Sequence, residues 1–391
     1  MNYDKIQKKL DGNMSIFDKE IDRTKSKSDK WDKYKDQDII PMWVADMDFE
    51  APKEVIEAIK TRADHGVFGY TPLDDETLDA FVDFVKRHYD WEIKKEWILF
   101  SYGVVISMNF TCKAVNSKDV IINTPIYPHF YKAPKNAGSS TIEVPMIEKD
   151  NRWCVDFEKF EKSITKNCKL FMLCNPHNPG GTVFTKEELE KFADIAKKHD
   201  LIVCSDEIHA DLILNPKAKH IPIASLNEDI AQRSITLLAP SKTFNIAGLK
   251  NSFVIIPNDS LRRAYKAQMR GLVDDPNIFA SVATKSAYKE CDYWLEELRR
   301  YLSENLKTVQ DFVDKNPKLK LLSQDATFLA WIDTKGLNHE NPYQLFLDFG
   351  VGLSEGEPFG DKNFVRLNFG TTKKTLKEAL KRMQKAIDSL G

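Results

Sequence analysis

The chain has 391 residues, of which 42% are hydrophobic and 30% are charged, so it can bury a large core and is neither disordered nor fibrous. Its 57 basic and 59 acidic residues give a formal net charge of -2, which removes the bulk attraction that nucleic-acid and anionic-membrane binders use. We therefore expect neither nucleic acid nor membrane as a partner.

The chain carries no sign of a membrane or secreted location. No run approaches the roughly 18 consecutive apolar residues of a membrane span, and the first residues, MNYDKIQKKLDG, lack the apolar core of a secretory signal. The six cysteines are scattered, form no C-x-x-C pair and lie mostly in apolar runs, which predicts buried thiols without zinc or disulfide roles. We expect a cytoplasmic protein.

The predicted elements begin with an irregular arm. Residues 18–38 mix Lys, Asp and Ser around Trp31 and Tyr34 without a sustained period, so we expect an arm held down by its aromatic side chains. After it, short apolar runs alternate with amphipathic helical segments, at 98–100, 119–123, 169–174, 201–205, 235–239 and 251–256. This alternation predicts an α/β fold with a mostly parallel central sheet covered by helices.

One helix start is marked clearly within this pattern. Thr185 and Glu188 fit a capping box before the segment LEKFADIAKKHD. The apolar residues of that segment share one helical face, which we expect to pack on the sheet: Leu189, Phe192, Ala193 and Ala196.

The pattern changes after about residue 285. A long helical stretch from Tyr293 to Val313 is followed by strands in ATFLAWIDT and FVRLNFG and by a closing helix from Lys373 to Leu390. This order predicts a second, smaller α+β domain built from the C-terminal part and the N-terminal arm. The predicted boundaries are 1–48 for the arm with part of the small domain, 49–285 for the large domain and 286–391 for the small domain.

Three motifs with polar residues follow predicted strands. Lys242 stands in APSKTFNIAGLK, Asp206 in LIVCSDEIH, and Asn178 in FMLCNPHNPGGT. Each has an ordinary explanation by itself: a surface lysine, a loop acid and simple turn chemistry. Together they lie at the carboxyl ends of neighbouring strands, where open α/β sheets bind ligands, and this predicts a site.

The motifs resemble those of the fold-type I pyridoxal 5'-phosphate (PLP) enzymes, the aspartate aminotransferase superfamily. Asn178 precedes Asp206 by 28 positions and Asp206 precedes Lys242 by 36, as in that family's cofactor triad. The finer resemblance is to its C–S lyase branch, the cystathionine β-lyases of the MalY/PatB type, and runs from about residue 15 to the C-terminus. It rests on PMWVADMDF, HGVFGYTP, PIYPHF, CNPHNPGG, SDEIHADL, APSKTFNIAGL and FVRLNFG.

The resemblance implies that 49–285 is a PLP-binding domain with a defined role for each member of the triad. Lys242 holds the cofactor covalently and later takes the Cα proton of the substrate. Asp206 keeps the pyridine nitrogen protonated, and Asn178 donates a hydrogen bond to the cofactor's phenolate oxygen.

His209 also belongs to this expected cofactor site. It stands where transaminases of the superfamily usually carry a tyrosine, a departure that matches the lyase branch. The alternatives are a satisfied strand-end histidine, or a metal site with Glu207 and Asp211 on the same strand face. We discount the metal because no second cluster of ligands accompanies these residues.

The cofactor phosphate needs backbone N–H groups and cations. The resemblance assigns it to Gly103, Val104 and Val105 at a helix start, to Ser241 and Lys250, and to Tyr70 of a partner subunit. Lys250 stands where the superfamily often has an arginine, so the contact there should lack the bidentate fork. Ordinary alternatives are a plain helix start and, for Tyr70, an aromatic packed under a glycine turn.

The remaining predicted site residues face the ring and the substrate. Tyr127 is expected to stack on the pyridine ring and to belong to the catalytic residues, although an aromatic in such a stretch is more often part of a core. Arg366 is expected to bind the substrate α-carboxylate bidentately, with a surface ion pair as its alternative. Trp43, Ala45 and Asn178 complete the expected substrate contacts.

Three functions remain open at this point. The first is a PLP-dependent C–S lyase of amino-acid metabolism, a homodimer with shared sites that splits cystathionine or another S-substituted cysteine into a thiol, pyruvate and ammonia. The second is an aminotransferase on the same scaffold. The third is a catalytically idle regulatory protein, against which the joint presence of Lys242, Asp206 and Asn178 argues.

Overall fold

The computed structural model describes residues 15–391, so the first part of the predicted N-terminal arm lies outside the described residues. The strands are β1 Ile40–Pro41, β2 Ile98–Ser101, β3 Asp119–Thr124, β4 Ser140–Pro145, β5 Ile147–Lys149, β6 Arg152–Cys154, β7 Cys168–Cys174, β8 Ile202–Asp206, β9 Ser234–Leu238, β10 Ser252–Ile255, β11 Leu329–Asp333, β12 Val351–Gly352, β13 Ser354–Glu355 and β14 Phe364–Asn368.

The helices alternate with these strands over most of the chain. They are α1 Asp29–Asp32, α2 Lys53–Asp64, α3 Asp75–Tyr89, α4 Val104–Val115, α5 His129–Asn136, α6 Phe157–Lys162, α7 Lys186–Lys198, α8 Glu228–Gln232, α9 Pro240–Thr243, α10 Asp259–Met269, α11 Ile278–Glu290, α12 Asp292–Asp314, α13 Pro342–Asp348 and α14 Lys373–Asp388.

A seven-stranded sheet forms the centre, in the order β2-β10-β9-β8-β7-β3-β4. The strands from β9 to β4 pair in parallel, whereas β10 is antiparallel to both β9 and β2. The connection from β9 to β10 holds only the four-residue α9 and a short turn of 3-10 helix, too little for a helical crossover back to the start of the sheet. The predicted α/β class with a mostly parallel sheet is confirmed, and each of the six predicted apolar runs forms a strand.

Successive residues of the inner strands pack on opposite faces of the sheet. Phe171 and Val203 join the apolar core on one face. Met172 and Cys204 join the core on the other face. Because both faces are covered, the chain leaves this sheet open to ligands mainly at its strand ends.

Helix α7 packs on one face of the sheet, and the sequence marks where it begins. Thr185 accepts a hydrogen bond from the Glu188 backbone N–H at 3.2 Å, and the Glu188 carboxylate accepts one from the Thr185 N–H at 2.9 Å. This confirms the predicted capping box. The apolar face predicted for the helix is buried in the core below it.

The C-terminal part forms a separate three-stranded antiparallel sheet, in the order β11-β14-β13. The predicted long helix is α12, the two predicted strands are β11 and β14, and the closing helix is α14. Near this sheet β1 pairs with β12, which ties the N-terminal segment to the C-terminal part. The boundary predicted between residues 285 and 286 falls inside α11, and the division into domains stays a prediction.

The described part of the N-terminal arm, residues 15–48, contains more regular structure than its sequence predicts. It contains α1, and Lys30 is buried with its ammonium 2.7 Å from Asp48. Arg23 binds both Asp46 and Asp48 through charge-assisted hydrogen bonds, and Trp31 donates its indole N–H to Asp48 at 3.0 Å. Ion pairs as well as aromatics therefore fix the arm against the segment 43–48.

Two predictions about location and cysteines can be compared with this structure. No helix within residues 15–391 is long and apolar enough to cross a membrane. All six cysteines are free, and five of them are buried. Cys154 differs from the prediction because it lies on β6, a strand of the small hairpin β5–β6 that is only half-buried.

Candidate active site

The carboxyl ends of β7, β8 and β9 open into one cavity of about 830 Å³. Parallel strands bring these ends to the same edge of the sheet, so motifs far apart in sequence meet there. Most of the predicted residues line this cavity: Ala45, Gly103, Val104, Val105, Tyr127, Asn178, Asp206, His209, Ser241, Lys242 and Lys250.

Asp206 is the last residue of β8 and lies buried between the neighbouring strand ends. Among residues 15–391, its carboxylate accepts a hydrogen bond from the Ile208 N–H at 3.2 Å. Burial raises the pKa of Asp206 to about 7, and the Glu207 carboxylate adds to the rise, while the Ile208 bond and the Lys242 charge oppose it. The site therefore holds a carboxyl group whose charged form would be stabilised by a cation bound beside it.

Lys242 lies in α9, which starts at Pro240 directly after β9. Its ammonium donates a hydrogen bond to the Ala45 carbonyl at 2.6 Å. Burial lowers the pKa of Lys242 to about 8, against the attraction of Asp46 and with the help of the positive charge of Arg366. An amine with this pKa is partly neutral near neutral pH, as a nucleophile or a base requires.

The residue after Lys242 belongs to a hydrogen-bond chain. The sequence did not predict this chain. Thr243, the next residue, donates its hydroxyl to the Asp211 carboxylate at 2.6 Å. The Tyr89 hydroxyl donates to the other oxygen of the same carboxylate. The only hint in the sequence is that Asp211 follows Asp206 closely, and its partner Tyr89 lies on the distant helix α3.

His209 and Asn178 present the polar atoms expected of them. Burial lowers the pKa of His209 to about 3, so its ring is neutral, and its Nδ1 has no hydrogen-bond partner among residues 15–391. Asn178 accepts a hydrogen bond from Arg366 at 3.0 Å through Oδ1, which leaves its Nδ2 as a donor.

One alternative considered above was a metal site with Glu207, His209 and Asp211 on one strand face, and the predicted strand geometry of these residues is wrong. β8 ends at Asp206, so Glu207, His209 and Asp211 lie in a turn and do not alternate along one face. Glu207 binds His220 at 2.9 Å, whereas Asp211 binds Thr243 and Tyr89. Within the described part of the chain no group of three side chains is placed to hold a metal.

The cavity has one end suited to an anion. Gly103 precedes the 12-residue helix α4 with a φ of 149°, a backbone conformation that favours glycine. The free N–H groups of Val104 and Val105 at this helix start attract negative charge. Ser241 and Lys250 line the same cavity.

Tyr70 is a predicted site residue that lines neither this cavity nor the adjoining one that Trp43 and Arg366 line. Its side chain is fully exposed. Tyr102 and Asn277 also line the cavity, and neither was among the residues predicted from the sequence. Tyr102 could have been suspected because it directly precedes Gly103, whereas Asn277, the N-cap of α11, gives no such signal.

Arg366 is buried on β14 and is held by neutral groups. One of its terminal nitrogens donates to the Trp43 carbonyl at 3.1 Å and to the Ser354 hydroxyl at 3.3 Å, and the other donates to Asn178. Burial lowers the pKa of Arg366 to about 10, still well above neutrality. Trp43 and Ala45 thus contribute backbone carbonyls: one orients Arg366 and the other binds Lys242.

Tyr127 joins this cavity to a second one of about 330 Å³. The second cavity is also lined by Lys242, Trp43 and Arg366. Burial raises the pKa of the Tyr127 phenol, so its hydroxyl stays protonated at neutral pH. A ligand in the first cavity and a small carboxylate-bearing molecule in the second would therefore meet at Lys242 and Tyr127.

Comparison with known proteins gives concordant matches over nearly the whole chain. The family model of class I and II aminotransferases matches residues 37–383. Cystathionine beta-lyase PatB of Bacillus subtilis (strain 168) is 39% identical over 385 residues, which cover 95% of this chain and 99% of that protein.

Two solved structures are similar over the same extent. The crystal structure of OvoB has a TM-score of 0.93 at 43% identity and covers 95% of this chain and 99% of that one. The structure of cystalysin from Treponema denticola, which contains a pyridoxal 5'-phosphate cofactor, has a TM-score of 0.91 at 35% identity and covers 96% and 99%.

Proposed function

The chain belongs to the class I and II aminotransferase family, and from this membership we propose that it is a PLP-dependent carbon–sulfur β-lyase. It acts on cystathionine or other S-substituted L-cysteines and gives a thiol, pyruvate and ammonia; cystathionine gives homocysteine. Cystathionine beta-lyase PatB and cystalysin, which are similar over nearly their full lengths, support this assignment.

One observation carries the proposal. Asp206 and Arg366 are buried and Lys242 is half-buried around joined cavities, and within residues 15–391 each side chain is hydrogen-bonded only to neutral groups. Buried charges without a counter-charge are costly, so such an arrangement indicates a ligand that supplies the missing charges. A cation is needed at Asp206 and an anion at Arg366.

PLP and an amino acid meet these needs residue by residue. Asp206 would hold the protonated ring nitrogen, and the N–H groups of Val104 and Val105 with Ser241 and Lys250 would hold the phosphate. The unpartnered Nδ1 of His209 and the Nδ2 of Asn178 supply polar atoms for the ring substituents. Bound PLP supplies an electron sink for the pair of electrons released when the Cα–H bond breaks.

The protein's own groups then prepare the substrate. Arg366 binds the α-carboxylate with two parallel N–H donors, which fixes the amino acid beside Lys242. Lys242, once its amine is free and neutral, removes the proton at Cα. Tyr127 closes the site over the reacting carbons and excludes water from one side.

The experiment that tests this function compares two reactions of the purified holoprotein. Pyruvate release from L-cystathionine and S-methyl-L-cysteine is measured beside amino transfer from each to 2-oxoglutarate. A C–S lyase releases pyruvate much faster than it transfers the amino group. Fast transfer without pyruvate would identify an aminotransferase, the alternative function on this fold.

We propose that the active unit is a homodimer with shared sites. Phe68 is exposed and packs its ring 5.6 Å from that of Phe279, which lines the cavity. Val67 and Tyr70, which are close to Phe68 in the sequence, are exposed as well. Such exposed apolar groups near a cavity favour a subunit contact, across which Tyr70 would reach the phosphate of the partner's site.

A cytoplasmic location is part of the same proposal. The six cysteines are free thiols, and proteins keep free thiols most readily in a reducing compartment. The sulfur amino acids that it would act on are small soluble molecules.

A further inference from the structure

The second cavity, of about 330 Å³, is lined by Arg366 and by further charged residues. Lys33 and Glu355 both line it, and both side chains are exposed to solvent. Its volume lies at the lower end of the roughly 300–1,000 Å³ that small-molecule sites occupy. The cavity is thus suited to a small molecule that meets one cation and one anion.

Neither charge forms an ion pair within residues 15–391. The Lys33 ammonium lies 4.5 Å from the centre of the Trp43 ring and 5.1 Å from that of Tyr34, and no carboxylate in the described range pairs with it. Glu355 makes no side-chain hydrogen bond or ion pair with any residue from 15 to 391. Two opposite charges at one cavity that do not pair with each other are free to bind a ligand.

Both charged residues lie next to the groups that position Arg366. Trp43 supports Lys33 with its ring and accepts a hydrogen bond from Arg366 with its carbonyl. Ser354 donates to that carbonyl at 2.8 Å, accepts from Arg366 and directly precedes Glu355 on β13. The Lys33 ammonium and the backbone of Glu355 therefore lie next to the groups that hold Arg366.

We propose that this cavity is a distal subsite that binds a second amino-acid group at the far end of the substrate. The Lys33 ammonium binds the distal carboxylate, and the Glu355 carboxylate binds the distal ammonium. The proposal rests on the proposed function and deepens it, because it assigns a preference for thioethers that join two amino acids, such as L-cystathionine, over S-alkyl cysteines.

A single charge would not give this preference. Lys33 alone would favour any distal acid, whereas the pair also attracts a distal cation, so a substrate that carries both charges gains both contacts. Trp43 adds a reason for the fixed place of the lysine, since an ammonium over an indole face is attracted by the ring. The subsite thus discriminates by the charges at the end of the substrate.

The test compares three substrates of the holoprotein that differ only at that end. L-Cystathionine carries both distal charges, S-(3-carboxypropyl)-L-cysteine carries only the carboxylate, and S-methyl-L-cysteine carries neither. The variants are Lys33→Met and Glu355→Gln. Lys35→Met and Glu357→Gln are matched controls at exposed residues that do not line the cavity.

The measured quantity is the ratio of kcat/KM for each charged substrate to that for S-methyl-L-cysteine. Lys33→Met is expected to lower the ratio about ten-fold for both charged substrates, as loss of one charge-assisted hydrogen bond would. Glu355→Gln is expected to lower it only for L-cystathionine. Lys33→Arg and the two controls are expected to keep the wild-type ratios.

Unchanged ratios in both cavity variants, or equal changes in the controls, would overturn the subsite. The subsite and the lyase assignment fail separately, because apparent dissociation constants of the same three ligands can be read from the visible absorbance of the holoprotein. If no pyruvate forms from any of them, the lyase assignment fails. Selectively weaker binding of L-cystathionine by Lys33→Met would then still support the subsite, and equal binding would overturn it.

Discussion

Replacing Asp206 by asparagine should stabilise the folded cofactor-free protein. In the holoprotein the same change should weaken PLP binding and slow the reaction. Asp206 is buried at the end of β8, and within the described residues 15–391 its carboxylate accepts one hydrogen bond, from Ile208. Without a bound cation the folded chain must hold this carboxylate in an environment that disfavours its charge. Asparagine removes the charge and keeps an oxygen that can accept the Ile208 bond.

The magnitude follows from the pKa of Asp206. A rise from 3.8 to about 7 corresponds to about 4 kcal/mol of lost stability once the group is ionised. Because the folded pKa lies above the unfolded value, the folded state is favoured most below pH 3.8 and loses this stability as the pH rises through about 7. The neutral asparagine side chain would not pass through this titration.

The assay is thermal unfolding of the cofactor-free protein, wild type against Asp206→Asn, at about pH 5 and pH 8. From the same relation, the asparagine variant should gain between about 1 and 2 kcal/mol at the lower pH and about 4 kcal/mol at the higher pH. Asp64→Asn, at an exposed acid, controls for the change in net charge.

In the presence of the cofactor, Asp206→Asn should be a disadvantage. Asp206→Asn should bind PLP more weakly and remove the substrate Cα proton much more slowly, because a neutral amide cannot stabilise the ring cation. A variant that gains no stability at pH 8, or that gains equally at both pH values, would refute the reasoning.

Three further predictions concern the other site residues. Lys242→Ala should abolish both borohydride fixation of the cofactor and turnover, and normal turnover would exclude Lys242 as the attachment site. Arg366→Lys should raise KM and lower kcat/KM about ten- to a hundred-fold, because a point charge cannot replace the bidentate fork; an unchanged KM would place the carboxylate elsewhere. Mixing inactive Lys242→Ala subunits with inactive Tyr70→Phe subunits should restore partial activity, whereas a fully active monomer in sedimentation would contradict shared sites.

The sequence predicted the sheet and the meeting of the triad because both follow from short-range patterns. Apolar runs identify buried strands, and parallel strands carry the residues after their ends to one edge. Asn178, Asp206 and Lys242 therefore could be placed in one site before the structure was known.

The features that the sequence could not predict depend on contacts between residues far apart in the sequence. The carbonyls of Trp43 and Ala45 bind Arg366 and Lys242, yet a carbonyl leaves no mark on residue identity. The partnership of Asp211 with Tyr89 joins residues 122 positions apart and needs the packing of α3 to be known. The antiparallel direction of β10 likewise depends on how a short connection folds.

The most direct test of the central claim measures both products of L-cystathionine cleavage in the same sample of holoprotein, with no 2-oxo acid present. β-Elimination predicts that homocysteine and pyruvate appear in equal amounts and that their release continues over many turnovers. Release of neither product, together with rapid amino exchange once 2-oxoglutarate is added, would contradict the lyase assignment.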